Sequence, residues 1–259
     1  MKAVFFDLDG TLLCGEKISE ANITAMKKVQ TAGNKLIMNT GRSLAFIPQV
    51  AAECVEWDGR ICGNSYIEYG GAVLDRKVLD RDQLAVIYDF CVEKKIPCKF
   101  EGEEAIYTLS FEEDESNILQ YQLKNYTEYP WRKMERKYIE QGEKLKITKI
   151  TLCEAVGKKY AGCFPGMYLI DMGHYVEIVC NGYNKATGMK LIGEKLGISQ
   201  GNMVAFGDSM NDVEMLKYAG IGVIMPHAPK ELESSTICRV TCEEEGVAEG
   251  LYEIFPELW

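Results

Sequence analysis

Two short apolar runs constrain this chain most. Ala3-Val-Phe-Phe ends in Asp-Leu-Asp-Gly-Thr, and Met203-Val-Ala-Phe ends in Gly-Asp-Ser-Met-Asn-Asp. Neither run alternates apolar with polar residues, so each predicts a strand covered on both faces, as in a parallel sheet between helices. The segment between the first run and the next supports this reading. Ser19 stands at an N-cap, Ile18 and Ile23 occupy the staple positions around it, and Ile23, Met26 and Val29 follow at helical spacing before Gly33. Lys35-Leu-Ile-Met-Asn-Thr-Gly-Arg is a further apolar run ending in a polar loop. Strand, helix and strand in this order predict a βαβ unit with a right-handed crossover.

The same grammar returns towards the C-terminus. Asn184 caps a predicted helix over about 185–196, with Gly197 as its stop. A helix through Glu214-Met-Leu-Lys-Tyr-Ala, strands at Ile221-Gly-Val-Ile-Met and Ile237-Cys-Arg-Val, a short helix near 228–234 and a last helix over about 245–254 follow. Between about 80 and 181 the pattern changes. Leu84, Ile87, Tyr88 and Cys91 mark an amphipathic helix, whereas Ala105-Ile-Tyr-Thr-Leu-Ser, Lys146-Ile-Thr-Lys-Ile-Thr-Leu and Tyr175-Val-Glu-Ile-Val alternate like half-exposed strands. This predicts an α+β layer with one solvated sheet face. The acidic run Phe111-Glu-Glu-Asp-Glu reads as a solvated loop or helix start. The expected architecture is therefore α/β: a Rossmann-like parallel-sheet core from residues 1–79 and 182–259, with an α+β domain at 80–181. The linkers near 79–82 and 180–184 are the expected hinges, Gly182 supplying backbone freedom.

Charge and composition exclude several functions. The chain carries 29 Lys+Arg against 39 Asp+Glu, a formal net charge of −10, with no basic stripe for a nucleic-acid backbone. No apolar run approaches the roughly 18 residues a membrane helix needs. The N-terminal run is interrupted at once by Asp7 and Asp9, unlike a signal peptide. The 10 cysteines form no Cys-x-x-Cys pair and only 2 His occur, which argues against zinc clusters. Reduced thiols used as small hydrophobes in a cytoplasmic protein are the expectation.

Four polar clusters end apolar strands or open helices: Asp7/Asp9/Thr11, Thr40/Gly41/Arg42, Lys185 and Asp208/Asn211/Asp212. Ligands of open parallel sheets bind beyond the carboxyl ends of the strands. Asp7 and Asp9, two positions apart, repel unless a cation intervenes, and Mg²⁺ is the hard divalent ion that suits oxygen ligands. Asp208 and Asp212 complete an oxygen-rich site. Gly10 and Thr11 offer backbone N–H groups to an anion, and Lys185 at a helix N-terminus adds positive charge. The set points to phosphoryl transfer through an aspartate.

Asp7-Leu-Asp-Gly-Thr resembles the first motif of the haloacid dehalogenase-like (HAD) phosphohydrolases, Asn39-Thr-Gly-Arg their second, Lys185 their third and Gly207-Asp-Ser-Met-Asn-Asp their fourth. The insert between the second and third motifs, and the tail Glu245-Gly-Val-Ala-Glu, resemble the Cof-type branch with a type C2 (IIB) cap. The resemblance implies that Asp7 is the nucleophile forming an aspartyl-phosphate and Asp9 the general acid/base. It implies Mg²⁺ held by the Asp7 side chain, the Asp9 carbonyl and Asp208, with Asp212 in the metal shell. Thr11, Thr40, Gly41, Lys185 and Asn211 would bind phosphate, and Arg42 and His227 are candidate substrate contacts. The implied partner is a small phosphorylated metabolite such as a sugar phosphate or phosphorylated cofactor. Four positions depart from the family pattern: Cys180 where Pro is frequent, Ala186 where Gly is, and Pro226 and His227 in Met225-Pro-His-Ala, which stands in place of Met-Gly-Asn-Ala.

Each residue also has a plainer reading. Asp and Gly favour turns, Thr40 suits a cap, Lys185 a solvated helix and Asp212 a helix start. Four motifs in family order outweigh these readings taken singly. Two other functions fit the same residues: a phosphomutase using the same aspartyl-phosphate, and a non-catalytic sensor of a phosphorylated ligand.

Overall fold

The computed structural model describes residues 1–111, 118–235 and 238–259. The chain forms two units, one from Met1–Gly41, Ile47–Asp75 and Asn184–Trp259, the other from Arg42–Phe46 and Arg76–Tyr183. The acidic stretch 112–115 and Ile237 lie outside the described residues.

In chain order the strands are β1 (Ala3–Phe6), β2 (Lys35–Thr40), β3 (Gly59–Cys62), β4 (Tyr66–Tyr69), β5 (Ala72–Arg76), β6 (Cys98–Gly102), β7 (Ile106–Leu109), β8 (Trp131–Lys133), β9 (Ile147–Leu152), β10 (Met167–Asp171), β11 (Val176–Cys180), β12 (Met203–Gly207), β13 (Ile221–Ile224) and β14 (Cys238–Arg239). The helices are α1 (Glu20–Thr31), α2 (Gln49–Glu53), α3 (Arg81–Lys94), α4 (Ile118–Asn125), α5 (Arg136–Ile139), α6 (Lys185–Leu196), α7 (Val213–Tyr218) and α8 (Gly246–Ile254).

The first unit is built on a sheet of order β14-β13-β12-β1-β2-β3-β4-β5. Its strands from β14 to β3 run parallel, and β4 turns back antiparallel on β3. Successive residues of β1 feed opposite apolar layers. Val4 and Phe6 join Met26 and Val29 of α1 and Val247 and Leu251 of α8. Ala3 and Phe5 join Met189 and Ile192 of α6 and Met215 and Leu216 of α7. Both faces are thus covered, which is why β1 and β12 are apolar at every position. The caps act as the residue types predict. Ser19 accepts from the Asn22 N–H at 3.1 Å and Asn184 from the Thr187 N–H at 3.1 Å, while Gly197 closes α6 in the left-handed region at φ 64°. The β3–β4–β5 meander has no counterpart in the sequence reading, although Gly70-Gly71 between two β-rich runs is a hairpin signal.

The second unit holds a sheet of order β10-β11-β9-β6-β7-β8. Its α3 buries Leu84, Ile87 and Cys91 in a cluster with Phe100, Ile150, Leu152 and Ile178. The expectation of a solvated second face fails for β6, β7, β9 and β11, which are buried at every residue. Polar residues on this face are charge-balanced rather than hydrated. Register sets Lys99 opposite Thr151 and Glu101 opposite Lys149, with Glu177 opposite Thr151 on the other side. Lys149 pairs with Glu177, Lys99 lies 3.4 Å from Glu101, and Thr151 donates to Glu101 at 2.6 Å. Burial alone would raise the Glu101 carboxyl, but Lys149 and Lys99 outweigh it and hold its pKa below the usual value. Arg42–Phe46 belongs to this unit, where Phe46 packs edge-on against Tyr129 at 4.7 Å and Trp131 at 5.6 Å.

Candidate active site

The register of the parallel sheet assembles the site. β1 and β12 are neighbours, Phe6 paired with Phe206, so Asp7 and Asp208 leave adjacent strand ends together. The Asp7 N–H still donates to the Phe206 carbonyl at 3.0 Å, which fixes its backbone in line with the sheet. β2, on the other side of β1, ends at the buried Thr40, with Gly41 directly after it. Lys185 is the first residue of α6, and the Asn39 side chain of β2 donates to its carbonyl at 3.1 Å.

Lys185 is fully buried, and its Nζ donates to Asp7 Oδ1 at 2.6 Å and to Asp212 Oδ1 at 2.5 Å. The second Asp212 oxygen accepts the N–H groups of Asp208 and Ser209, each at 3.1 Å. Asp212 is therefore bonded through both oxygens and orients both Lys185 and the Asp208 turn. A side chain at Gly207 would bring a Cβ within 2.7 Å of Asp212, so glycine is required at that strand end. Thr11 Oγ1 donates to Asp208 Oδ1 at 3.2 Å. Gly10 has φ +75°, and a Cβ there would lie 2.5 Å from Asp208 Oδ2.

One ligand atom from each of Asp7, Asp208 and Asp212 lies within 4.8 Å of the others. Three carboxylates against the single Lys185 ammonium leave about two negative charges uncompensated. Burial and the neighbouring carboxylates both act on the acids of the site. Burial, reinforced by Asp212 and Asp208, drives the Asp7 carboxyl well above the usual carboxylate range despite Lys185. Burial and then Asp212 raise Asp208, against Lys185 and His227. Burial works against the Lys185 charge, but Asp212 and Asp7 outweigh it and raise its pKa. A hard divalent cation fits this donor set, because it supplies the missing charge to oxygen ligands already converged.

The other predicted residues fall around this centre. Asp9 is exposed in the turn after Asp7, where it bridges to Leu13. The Asn211 side chain accepts from Ser209 Oγ at 2.8 Å within the Asp208–Asp212 turn. His227 Nε2 lies 3.2 Å from Asp208 Oδ2, bringing it into the carboxylate group. Arg42 belongs with the second unit, where it donates to the Phe46 carbonyl at 3.2 Å and the Tyr129 hydroxyl at 3.4 Å. Sequence reasoning missed Ser209, Arg239 and Glu243, ordinary polar residues whose partners are remote in the chain or set by a turn. All ten cysteines are free thiols, and no helix among the described residues is long and apolar enough to cross a membrane.

Comparison with known proteins agrees with the geometry. The family model of the haloacid dehalogenase-like hydrolases matches residues 4–251. The chain belongs to that family and is a hydrolase of its kind. The 5-amino-6-(5-phospho-D-ribitylamino)uracil phosphatase YcsE of Bacillus subtilis is 25% identical, over 97% of this chain and 94% of its own. A haloacid dehalogenase-like hydrolase from Bacteroides thetaiotaomicron superposes with a TM-score of 0.84 at 23% identity, covering 98% and 99% of the two chains. A subclass IIB sugar phosphatase of the superfamily shares the fold at a TM-score of 0.81 and 22% identity, over 98% and 99%.

Proposed function

We propose that the protein is a Mg²⁺-dependent phosphomonoester hydrolase acting on a small phosphorylated metabolite. The observation that carries this reading is the buried Lys185 bridging Asp7 and Asp212, with Asp208 beside them at the end of the adjoining strand. Lys185 holds one Asp7 oxygen and steadies the carboxylate for in-line attack on phosphorus. Attack forms an aspartyl-phosphate on Asp7 and breaks the bond to the leaving oxygen. Asp9, exposed two residues on, gives that oxygen its proton and then takes one from the water that attacks phosphorus, breaking its bond to Asp7 and releasing inorganic phosphate. Thr40, Gly41 and Thr11 supply hydroxyl and N–H donors to the phosphoryl oxygens, and Asn211 supports the turn facing them. Asp7 and Asp208 would hold Mg²⁺, with the Asp9 carbonyl, while Asp212 orients Lys185 and the Asp208 backbone. Bound there, the ion would neutralise the carboxylates and the developing charge on the phosphoryl group. The free cysteines favour a reducing, cytoplasmic setting.

The test is inorganic phosphate release from a panel of sugar phosphates and phosphorylated cofactors, with Mg²⁺ or chelator, for wild type and Asp7→Asn. Release that needs the metal and disappears in the variant is the expected result. Turnover by Asp7→Asn at the wild-type rate refutes the nucleophile, and phosphate moved within the substrate without release marks a mutase.

A further inference from the structure

His227 lies in the segment Met225-Pro-His-Ala, just after β13, and the structure gives it a specific setting. Its Nε2 is 3.2 Å from Asp208 Oδ2, and its Nδ1 is 2.6 Å from Glu243 Oε2. The ring therefore links a carboxylate of the active site to one on the loop before α8. The segment that carries it is braced. Arg239 Nη1 donates to the carbonyls of Met225, Pro226 and Ala228 at 3.1, 2.8 and 3.1 Å, and its Nη2 reaches Glu233 at 3.1 Å. The Ala228 N–H closes a turn on the Met225 carbonyl at 3.1 Å. Pro226 restricts the backbone just before the histidine. The absence of a side chain at Gly10 leaves the space: a Cβ there would lie 2.5 Å from Asp208 Oδ2 and 3.2 Å from His227 Nε2. Thr11 holds the other Asp208 oxygen at 3.2 Å. Asp208 is thus gripped through both oxygens, by Thr11 on one side and by His227 on the other.

We propose that His227 is a positioning residue for Asp208, and that the Glu243–His227–Asp208 chain sets the affinity of the site for its divalent cation. This rests on the reading of Asp208 as a metal ligand. The physical reason is pre-organisation. A carboxylate on a loop rotates freely about its side-chain torsions, and a cation that it binds must first stop that rotation. Groups that hydrogen-bond a ligating carboxylate perform that ordering in advance, and their removal typically weakens metal binding by about 10–100-fold. Glu243 does for the imidazole what the imidazole does for Asp208, fixing the ring plane. A single donor from Thr11 leaves the carboxylate free to swing about the bond it makes, and the second contact from His227 stops that motion.

The experiment is calorimetric titration of Mg²⁺ into the full-length chain without substrate, for wild type, Asp208→Asn, His227→Ala, His227→Gln and Glu243→Gln. Circular dichroism melting in chelator checks that each variant is folded. The expected result is a Kd about 10–100-fold higher for His227→Ala, a smaller rise for Glu243→Gln, and an intermediate value for His227→Gln, whose amide keeps a donor within reach of Asp208. The Mg²⁺ concentration for half-maximal phosphate release should rise by the same factor as the Kd. A Kd for folded His227→Ala equal to wild type, or tighter, overturns the proposal. Equal affinity leaves His227 as a loop residue, and tighter binding means that its charge opposes the cation more than its contact orients the ligand. Wild type that binds no Mg²⁺, or Asp208→Asn that binds it as wild type does, removes the metal-ligand reading itself and this inference with it. Binding lost in Asp208→Asn but unchanged in His227→Ala removes only the inference.

Discussion

Replacement of Lys185 by methionine tests the physics of the site most directly. Methionine preserves most of the buried volume and removes only the ammonium. In wild type that group is fully buried and lies 2.6 Å from Asp7 and 2.5 Å from Asp212. Without it three converged carboxylates face one another with no lysine between them. Breaking a buried ion pair by removing one partner costs about 3–5 kcal/mol, chiefly because the remaining charge stays buried and uncompensated. For a unit of this size each kcal/mol moves Tm by about 2–4 °C, so the expected fall is about 6–20 °C. The assay is urea and thermal unfolding in chelator, followed through Trp57, which packs edge-on against Phe6 of β1 at a centroid distance of 6.1 Å. Adding Asp212→Asn to Lys185→Met removes one of the stranded charges and should recover part of the stability. Activity should fall by at least about 10²-fold and not return in the double variant, as for loss of one pre-organised charged donor. A loss of under about 1 kcal/mol in the single variant would refute the reasoning. It would mean that Asp7 and Asp212 are solvated or already protonated, and that Lys185 does not neutralise them.

The remaining predictions use other contacts. Gly10→Ala should weaken Mg²⁺ binding by at least about 10-fold, because the new Cβ at φ +75° would fall 2.5 Å from Asp208 Oδ2; unchanged calorimetric affinity would contradict it. Asp7 and Asp208 both have folded-state pKa values raised by burial above their unfolded values, so their ionisation costs the folded state. In chelator, stability of the first unit should therefore rise as pH falls through those values towards the unfolded value of about 3.9. Saturating Mg²⁺ should flatten that dependence, and a metal-independent pH profile would count against it. Glu101 has the opposite sign. Its pKa is lowered, so the stability it adds to the second unit is present above about 4.3 and lost as pH falls through its folded value, readable through Trp131 fluorescence. Lys149→Met should destabilise the second unit by about 3–5 kcal/mol in urea unfolding, and pairing it with Glu177→Leu should restore a substantial part of that loss; equal losses in the single and double variants would sink the idea.

Much of the first unit is written in local patterns. The apolar runs of β1, β2 and β12, the caps at Ser19 and Asn184 and the stop at Gly197 each follow from short-range stereochemistry. The hydrophobic sequence therefore determined both the strands and the helices that cover them. The same patterns placed Asp7, Asp208 and Lys185 at strand ends and a helix start, where a parallel sheet gathers its ligands. Local pattern could not yield the β3–β4–β5 meander by helix-period or βαβ reasoning, because its short strands show neither signal.

Tertiary structure decided what depends on partners remote in sequence. Alternation in β9 and β11 reads as a solvated face because a single strand cannot show that its lysines and glutamates balance those of its neighbours. Only the register, Glu101 opposite Lys149 and Thr151 opposite Glu177, makes burial of those charges tolerable. Arg42 ends the second motif, yet it lies with Phe46 and Tyr129 in the other unit. Likewise the grip on Asp208 comes from Thr11, 197 positions away, and from His227 on a loop that Arg239 braces. Which residues carry charge at the strand ends is a property of the chain read locally. Which of those charges meet, and how firmly each is held, is set by long-range pairing energies that exist only once the sheet has closed.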